Sequence, residues 1–125
     1  MKIALLGATG SIGTQTLDAI RNCLPEAKIT ALSGFSNIIA LAQLVDEFQP
    51  DVCWVPGENA AKILNENKKF NCEILFGEKN LIACAAETDA EIVINALIGR
   101  VGLAPTIAAI NAKKNIALAN KEPLV

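Results

Sequence analysis

Residues 7–13 of the chain are Gly7-Ala8-Thr9-Gly10-Ser11-Ile12-Gly13, and the predicted fold is built outward from this glycine-rich segment. It follows a short apolar run, residues 3–6, and leads into a segment of helical period, residues 12–23. Glycines permit a tight strand-to-helix turn and a close approach of the backbone to a ligand. The first N–H groups of the helix lack intrahelical partners and lie at the positive end of the helix dipole. The segment therefore predicts a phosphate-binding turn. It is not a Walker loop, because no Gly-Lys-Ser/Thr follows.

Composition sets limits on the class of protein. The chain has 125 residues, 52% hydrophobic and 19% charged, which is typical of one α/β domain with a core of its own. A net charge of −2 predicts neither nucleic-acid nor membrane binding. We find no apolar run of membrane-spanning length and no signal peptide, so we predict a cytoplasmic protein.

Catalytic residue types are scarce. The chain has no His, and its four cysteines form no CxxC pair. These facts exclude zinc-site spacing, a Cys–His nucleophile pair and a Ser–His–Asp triad within the chain. We interpret the cysteines as small, reduced core residues; they are Cys23, Cys53, Cys72 and Cys84.

Short apolar runs alternate with helical segments along the whole chain. Strands are predicted at residues 3–6, 29–33, 52–55, 73–76, 92–95 and 116–119. Helices are predicted at residues 12–23, 38–48, 59–67, 78–86 and 105–112. This alternation indicates repeated βαβ units, hence a doubly wound, Rossmann-like parallel sheet, for which we predict the strand order 3-2-1-4-5-6. Ligands of such sheets bind at the carboxyl ends of the strands, and the glycine-rich turn then predicts a dinucleotide cofactor.

The end of the second predicted strand bears on which dinucleotide is bound. NAD-binding domains usually carry Asp or Glu there, whereas this chain has Ser33-Gly34-Phe35-Ser36-Asn37. The missing acid permits the 2′-phosphate of NADP, although no Lys or Arg is present to hold it. Ser33, Ser36 and Asn37 are candidate hydrogen-bond donors to that phosphate, and Phe35 is a candidate cover for the adenine. Asn37 is also a predicted N-cap of the second helix.

Three polar residues, Asn120-Lys121-Glu122, follow the last predicted strand. They are either a solvated turn or part of a site. In the second interpretation Asn120 contacts the cofactor, Lys121 an anionic substrate, and Glu122 a hydroxyl on the ribose or nicotinamide side. The sequence stops soon afterwards at Val125, so we expect a fragment of a longer protein.

Together these motifs resemble the 1-deoxy-D-xylulose 5-phosphate reductoisomerase family, over essentially the whole chain. The resemblance rests on three segments, which are Leu6 to Gly13 with Thr16-Leu17-Asp18, Asn95-Ala96-Leu97-Ile98-Gly99 with Gly102-Leu103, and Leu118 to Glu122 with Leu124-Val125. It implies an NADPH-dependent enzyme that rearranges 1-deoxy-D-xylulose 5-phosphate and reduces the product to 2-C-methyl-D-erythritol 4-phosphate. Two positions depart from the family pattern: Ser36 stands where Lys or Arg is common, and Pro123 where Ser is common.

The resemblance also implies roles for individual residues. The phosphates of NADPH would be held by Thr9, Gly10, Ser11 and Ile12. Asn37, with Ser36 beside it, would lie near the adenosine ribose, and Ala96 and Leu97 would line the cofactor channel. Asn120 and Glu122 would flank the nicotinamide half, and Lys121 would meet the phosphorylated sugar.

The resemblance further implies parts that this chain lacks. They are the Mg²⁺- or Mn²⁺-binding carboxylates, the substrate domain and a flexible loop over the site. Residues 1–125 are thus predicted to be the NADPH-binding domain of a homodimeric enzyme, inactive when alone. Two alternatives stay open: another NADP-dependent reductase, such as a semialdehyde dehydrogenase with a nucleophilic Cys, and a non-catalytic NADP-sensing module.

Overall fold

The computed structural model describes residues 1–97 and 103–118, which form six strands and five helices in strict alternation. The strands β1 to β6 are Lys2–Leu6, Lys28–Ser33, Val52–Val55, Glu73–Phe76, Ile92–Asn95 and Asn115–Leu118. The helices α1 to α5 are Ser11–Cys23, Ile38–Phe48, Glu58–Asn67, Glu78–Ala86 and Leu103–Asn111. Each predicted element is present, with its ends no more than about two residues from the predicted ones.

The sheet is parallel throughout, and its strand order is β4-β3-β2-β1-β5-β6. The predicted doubly wound parallel fold is confirmed, but the predicted order 3-2-1-4-5-6 differs at the fourth strand. That strand lies at the edge beside β3, and β5 takes the place beside β1. The reason is that α3 continues the sheet outward, whereas α4 crosses back over β3, β2 and β1 before β5 begins. Alternation along the sequence predicts crossovers but not the side on which each new strand adds.

Two apolar layers cover the two faces of the sheet. On one face α1, α2 and α3 bury Leu17, Leu41 and Leu64, each at most 1% exposed. On the other face α4 and α5 bury Leu81 and Ala109. Burying one Leu side chain stabilises the fold by about 1.5–3 kcal/mol, so these layers hold the helices against the sheet.

The cysteines do not all belong to the core. Cys53 and Cys84 are fully buried and Cys72 is half-buried, but Cys23 is exposed. The prediction of a core position was therefore wrong for Cys23. It is the last residue of α1 and lies beyond Ile20, the last buried residue of that helix.

The winding of the helices creates a crevice between β1 and β5. These strands are neighbours, but α1 leaves β1 over one face of the sheet and α5 leaves β5 over the other. In doubly wound sheets ligands bind at such a switch point, outside the carboxyl ends of the strands. None of the helices in the described ranges has the length and continuous apolar character needed to cross a bilayer.

Candidate functional site

A cavity of about 350 Å³ lies at the carboxyl ends of β1, β2 and β5. It is therefore at the switch point, where the fold predicts a ligand. Its described lining is apolar or neutral, without an ionisable side chain: Gly7, Thr9, Gly10, Phe35, Ser36, Ala96 and Leu97. The cavity is suited to a ligand held by backbone groups and ring contacts.

Two of the three glycines of the turn, Gly7 and Gly13, are required by close backbone packing. Gly7 has φ +85°, and a Cβ there would lie 2.9 Å from the carbonyl oxygen of Ala96. A Cβ on Gly13 would lie 1.9 Å from the carbonyl oxygen of Gly7, an impossible distance. A Cβ on Gly10 would meet only that same oxygen, at 3.8 Å, so this position is open toward the cavity it lines. The turn thus leaves space where a phosphate must approach the backbone.

Hydrogen bonds fix the turn to the neighbouring strands. The backbone N–H of Gly7 donates to Ser33 Oγ at 2.9 Å, and that of Ala8 donates to the carbonyl of Ser33 at 2.7 Å. On the other side the N–H of Ala96 donates to the carbonyl of Leu6 at 2.9 Å. Ser33 is 0% exposed, so the prediction that it contacts a ligand phosphate was wrong. Its side chain is directed into the turn because its hydroxyl satisfies a buried backbone donor.

The first turn of α1 has the features of an anion site. Gly10 is its N-cap, and no side chain caps the helix. Ser11 and Ile12 are exposed at this end, with Ile12 40% exposed. The uncapped N–H groups and the helix dipole fit a phosphate, so the residues present fit the pyrophosphate of a dinucleotide. Thr9 lines the cavity, but its Oγ1 donates to the carbonyl of Ser36 at 3.1 Å and so also braces the neighbouring loop.

The loop after β2 brings Phe35 and Ser36 to the cavity. Asn37 follows in the left-handed conformation, with φ 51°. Its Oδ1 accepts from the N–H of Ala40 at 3.4 Å, which confirms the predicted N-cap of α2. The cap therefore holds the amide of Asn37 at the beginning of the helix, next to the residues that line the cavity.

The loop after β5 forms the opposite wall. Ala96 and Leu97 are buried, and both line the cavity. Asn95 is also 0% exposed, and its Oδ1 accepts from the N–H of Leu97 at 2.9 Å. The sequence motif contained Asn95, but no role was assigned to it. The sequence does contain an indication of this role, because Asn95 is a strongly polar residue at the end of an apolar strand. A polar side chain that is buried there must find a hydrogen-bond partner.

Three candidate residues, Asn120, Lys121 and Glu122, lie outside the described residues. A divalent metal site is likewise not formed by the part of the chain that the structure describes. Within residues 1–97 and 103–118 no group of three or more His, Cys, Asp or Glu side chains is placed to hold an ion. The described site thus fits the phosphates of a cofactor but not a metal.

The sequence matches known proteins over nearly its whole length. The family model for 1-deoxy-D-xylulose 5-phosphate reductoisomerase matches residues 3–125. The chain belongs to this reductoisomerase family. Curated reductoisomerases from Geobacillus kaustophilus and Thermoanaerobacter sp. are 46% and 47% identical to it, over 98% and 99% of its length. The chain spans about a third of those relatives, since the matches cover 32% of each.

Solved structures of reductoisomerases have the same fold. A crystal structure of DOX-P reductoisomerase in complex with NADPH, fosmidomycin and magnesium superposes with a TM-score of 0.90 at 38% identity, over 99% of this chain and 31% of that one. The structure of the Zymomonas mobilis reductoisomerase in complex with NADPH superposes with a TM-score of 0.89 at 34% identity, over 98% of this chain and 32% of that one.

Membership of the reductoisomerase family removes the semialdehyde dehydrogenase alternative, and the cysteines agree. Cys53 and Cys84 are both 0% exposed and lie within the core. Burial raises the pKa of the Cys84 thiol to about 12 and that of Cys53 higher still. A thiol protonated at neutral pH and shielded from the cavity is a poor nucleophile.

Proposed function

We propose that the chain binds NADPH and is the cofactor-binding domain of a 1-deoxy-D-xylulose 5-phosphate reductoisomerase. The observation that carries the proposal is the cavity at the switch point, which places Gly7 and Gly10 beside the uncapped first turn of α1. That arrangement matches the pyrophosphate of a dinucleotide in both charge and space. It is neutral around Ser36, so it tolerates a 2′-phosphate that an Asp or Glu would repel.

In the reaction proposed for the whole protein, 1-deoxy-D-xylulose 5-phosphate is rearranged and NADPH then reduces the aldehyde to 2-C-methyl-D-erythritol 4-phosphate. Bound NADPH would supply the hydride. The divalent metal, Mg²⁺ or Mn²⁺, would require ligands from the remaining two-thirds found in the relatives. We propose that residues 1–125 form the NADPH-binding domain and that the complete enzyme is a cytoplasmic homodimer acting on a phosphorylated sugar.

The phosphate half of the cofactor is assigned to the turn and to α1. Gly10, Ser11 and Ile12 would present the backbone N–H groups of the first helical turn to the pyrophosphate. Thr9 would shape the same surface while holding the carbonyl of Ser36. Ser36 and Asn37 would donate to the 2′-phosphate and the adenosine ribose from the loop after β2.

The nicotinamide half is assigned to the other side of the switch point. Ala96 and Leu97 would form the apolar channel along which the cofactor passes. Asn120 and Glu122 would flank the nicotinamide and its ribose, and Lys121 would meet the substrate. An ammonium group suits a phosphorylated sugar, because it can donate in several directions to an anion.

Titration of the chain with NADPH and NADH, by calorimetry, tests the cofactor assignment. We expect NADPH to bind more tightly, since Ser36 and Asn37 add hydrogen bonds that only the 2′-phosphate accepts. The variant Ser36→Ala removes one of these donors. It is expected to weaken NADPH binding by about tenfold, the effect of one hydrogen bond to a charged group, and to leave NADH binding unchanged. NADH is thus the control within the same protein.

Equal or reversed affinity for the two cofactors in the wild type would contradict the NADP assignment. A parallel turnover assay of a full-length protein, with NADPH, a divalent metal and 1-deoxy-D-xylulose 5-phosphate, tests the proposed reaction. Turnover by residues 1–125 alone would contradict the assignment of the metal ligands to the rest of the protein.

A further inference from the structure

Phe35 is an aromatic ring presented at the rim of the cavity. It lines the cavity and is 42% exposed, whereas Trp54 beside it is only 3% exposed. Burial of a Phe ring normally stabilises a fold, so a ring left this open forgoes part of that stabilisation. Exposure alone does not indicate a site, because single exposed apolar residues are common. The way in which this ring is held is the more informative observation.

Trp54 holds Phe35 in a defined position. The two rings pack edge to face, with centroids 4.9 Å apart and planes at 63°. The indole Nε1 of Trp54 donates to the carbonyl of Gly77 at 2.6 Å, and the carbonyl of Trp54 accepts from the N–H of Gly34 at 3.1 Å. The Phe35 ring is thereby fixed before any ligand arrives. A preorganised aromatic contact loses little conformational entropy on binding.

The surroundings of Phe35 select the part of the ligand it would meet. The loop that carries it follows β2, where the adenosine of a dinucleotide lies when its pyrophosphate is on α1. No described residue that lines the cavity is charged. A neutral surface that presents an aromatic ring suits a flat heterocycle.

We propose that Phe35 is the residue that recognises the adenine ring, and that Trp54 is the positioning residue that holds it there. This inference rests on the proposed binding of NADPH and adds to it the basis of adenine affinity. In a loop without Lys, Arg, Asp or Glu, contact with an aromatic ring supplies binding free energy that charge does not. The adenosine end of the cofactor is then recognised mainly by its base.

Binding of the two halves of the cofactor tests this assignment. The ligands are NADPH, adenosine 2′,5′-bisphosphate, which carries the adenine half, and reduced nicotinamide mononucleotide, which carries the other. Phe35→Ala is expected to weaken the binding of NADPH and of the bisphosphate by about tenfold, the effect of losing one base–aromatic contact. The variant should bind reduced nicotinamide mononucleotide as tightly as the wild type does. Phe35→Tyr, which keeps the ring, should stay within about twofold for all three ligands.

A matched control is Phe76→Ala. Phe76 is 44% exposed, close to the exposure of Phe35, but it lies in β4 and does not line the cavity. Its substitution should change no affinity. For Trp54, the variant Trp54→Phe keeps a ring beside Phe35 but loses the bond to Gly77. Trp54→Phe should weaken binding of the bisphosphate less than Phe35→Ala does, and it should leave binding of the mononucleotide unchanged.

The outcomes separate this inference from the proposed function. If the wild type binds NADPH and Phe35→Ala binds it equally well, the adenine assignment is wrong and NADPH binding stands. If Phe35→Ala weakens the binding of both cofactor halves equally, the ring maintains the structure of the site and does not recognise the adenine. The assignment is then again wrong. If the wild type binds none of the three ligands, the proposed function fails, and this inference fails with it.

Discussion

Gly10 and Gly13 lie in the same turn, yet a methyl group added to each would meet very different surroundings. At Gly13 it would overlap the carbonyl oxygen of Gly7, at 1.9 Å, and α1 would have to move away from β1. Gly13→Ala is therefore expected to lower the free energy of unfolding by about 3 kcal/mol. At Gly10 the methyl group has room, so the Gly10→Ala protein should be as stable as the wild type. It should bind NADPH about tenfold more weakly, because the added methyl group occupies space next to the phosphates.

Urea unfolding of both variants measures the change in stability, and NADPH titration measures the change in affinity. Gly57→Ala is the control, since a Cβ there meets nothing within 4 Å and Gly57 does not line the cavity. We expect it to change the free energy of unfolding by less than about 0.5 kcal/mol, with no change in affinity. A Gly13→Ala protein as stable as the wild type would show that the turn is looser than described.

Asp46 connects two elements of one face, α2 and the loop between α3 and β4. Its Oδ1 accepts from the N–H of Lys69 at 2.7 Å and from that of Phe70 at 2.8 Å. These hydrogen bonds hold the pKa of Asp46 below its usual value of 3.8, and the bond from Phe70 contributes most. A lowered pKa means that the ionised form stabilises the fold above the ordinary pKa, and that this stabilisation is lost as the pH falls through the folded-state pKa.

Asp46→Asn is accordingly expected to lower the free energy of unfolding by about 1 kcal/mol at pH 7, an estimate that allows for solvent screening. At pH 2 its difference from the wild type should be smaller, because the wild-type carboxyl loses its charge as the pH falls through its lowered pKa. Urea unfolding at the two pH values measures the difference. Glu66→Gln, at an exposed residue of α3, serves as the control and should change the free energy of unfolding at pH 7 by less than about 0.5 kcal/mol. A difference for Asp46→Asn that is as large at pH 2 as at pH 7 would contradict the role of its charge.

For the whole molecule, binding at the switch point couples to global stability. A ligand that binds only the folded chain stabilises it by about 2.7 kcal/mol at a hundred times its Kd. For a chain of this size we expect NADPH to raise Tm by about 10 °C under that condition. No metal-binding cluster is present in residues 1–97 and 103–118, so EDTA should leave the shift unchanged. Differential scanning calorimetry measures it, and a shift abolished by EDTA would contradict metal-independent binding.

Most elements of this fold could be predicted because their signals are local. The spacing of Gly7, Gly10 and Gly13 after an apolar run specifies a strand-to-helix turn, and Asn37 before an apolar period specifies a helix start. Thr9, Gly10 and Ser36 follow from strand ends in the same way, since parallel strands place their carboxyl ends at one edge of the sheet. The family resemblance implies Ala96 and Leu97 at the same site. All of these line the cavity.

Other features depend on contacts between residues distant in sequence. The place of β4 at the sheet edge follows from the packing of α4 across the opposite face, which no local pattern encodes. Ser33 and Phe35, two residues apart, were both candidate ligand contacts. Packing buried the first to satisfy the N–H of Gly7 and left the second at the cavity beside Trp54. Local chemistry thus specified the periodicity and turns of this chain. Long-range packing specified which strands became neighbours and which side chains face the ligand, because burial is a property of the assembled layers.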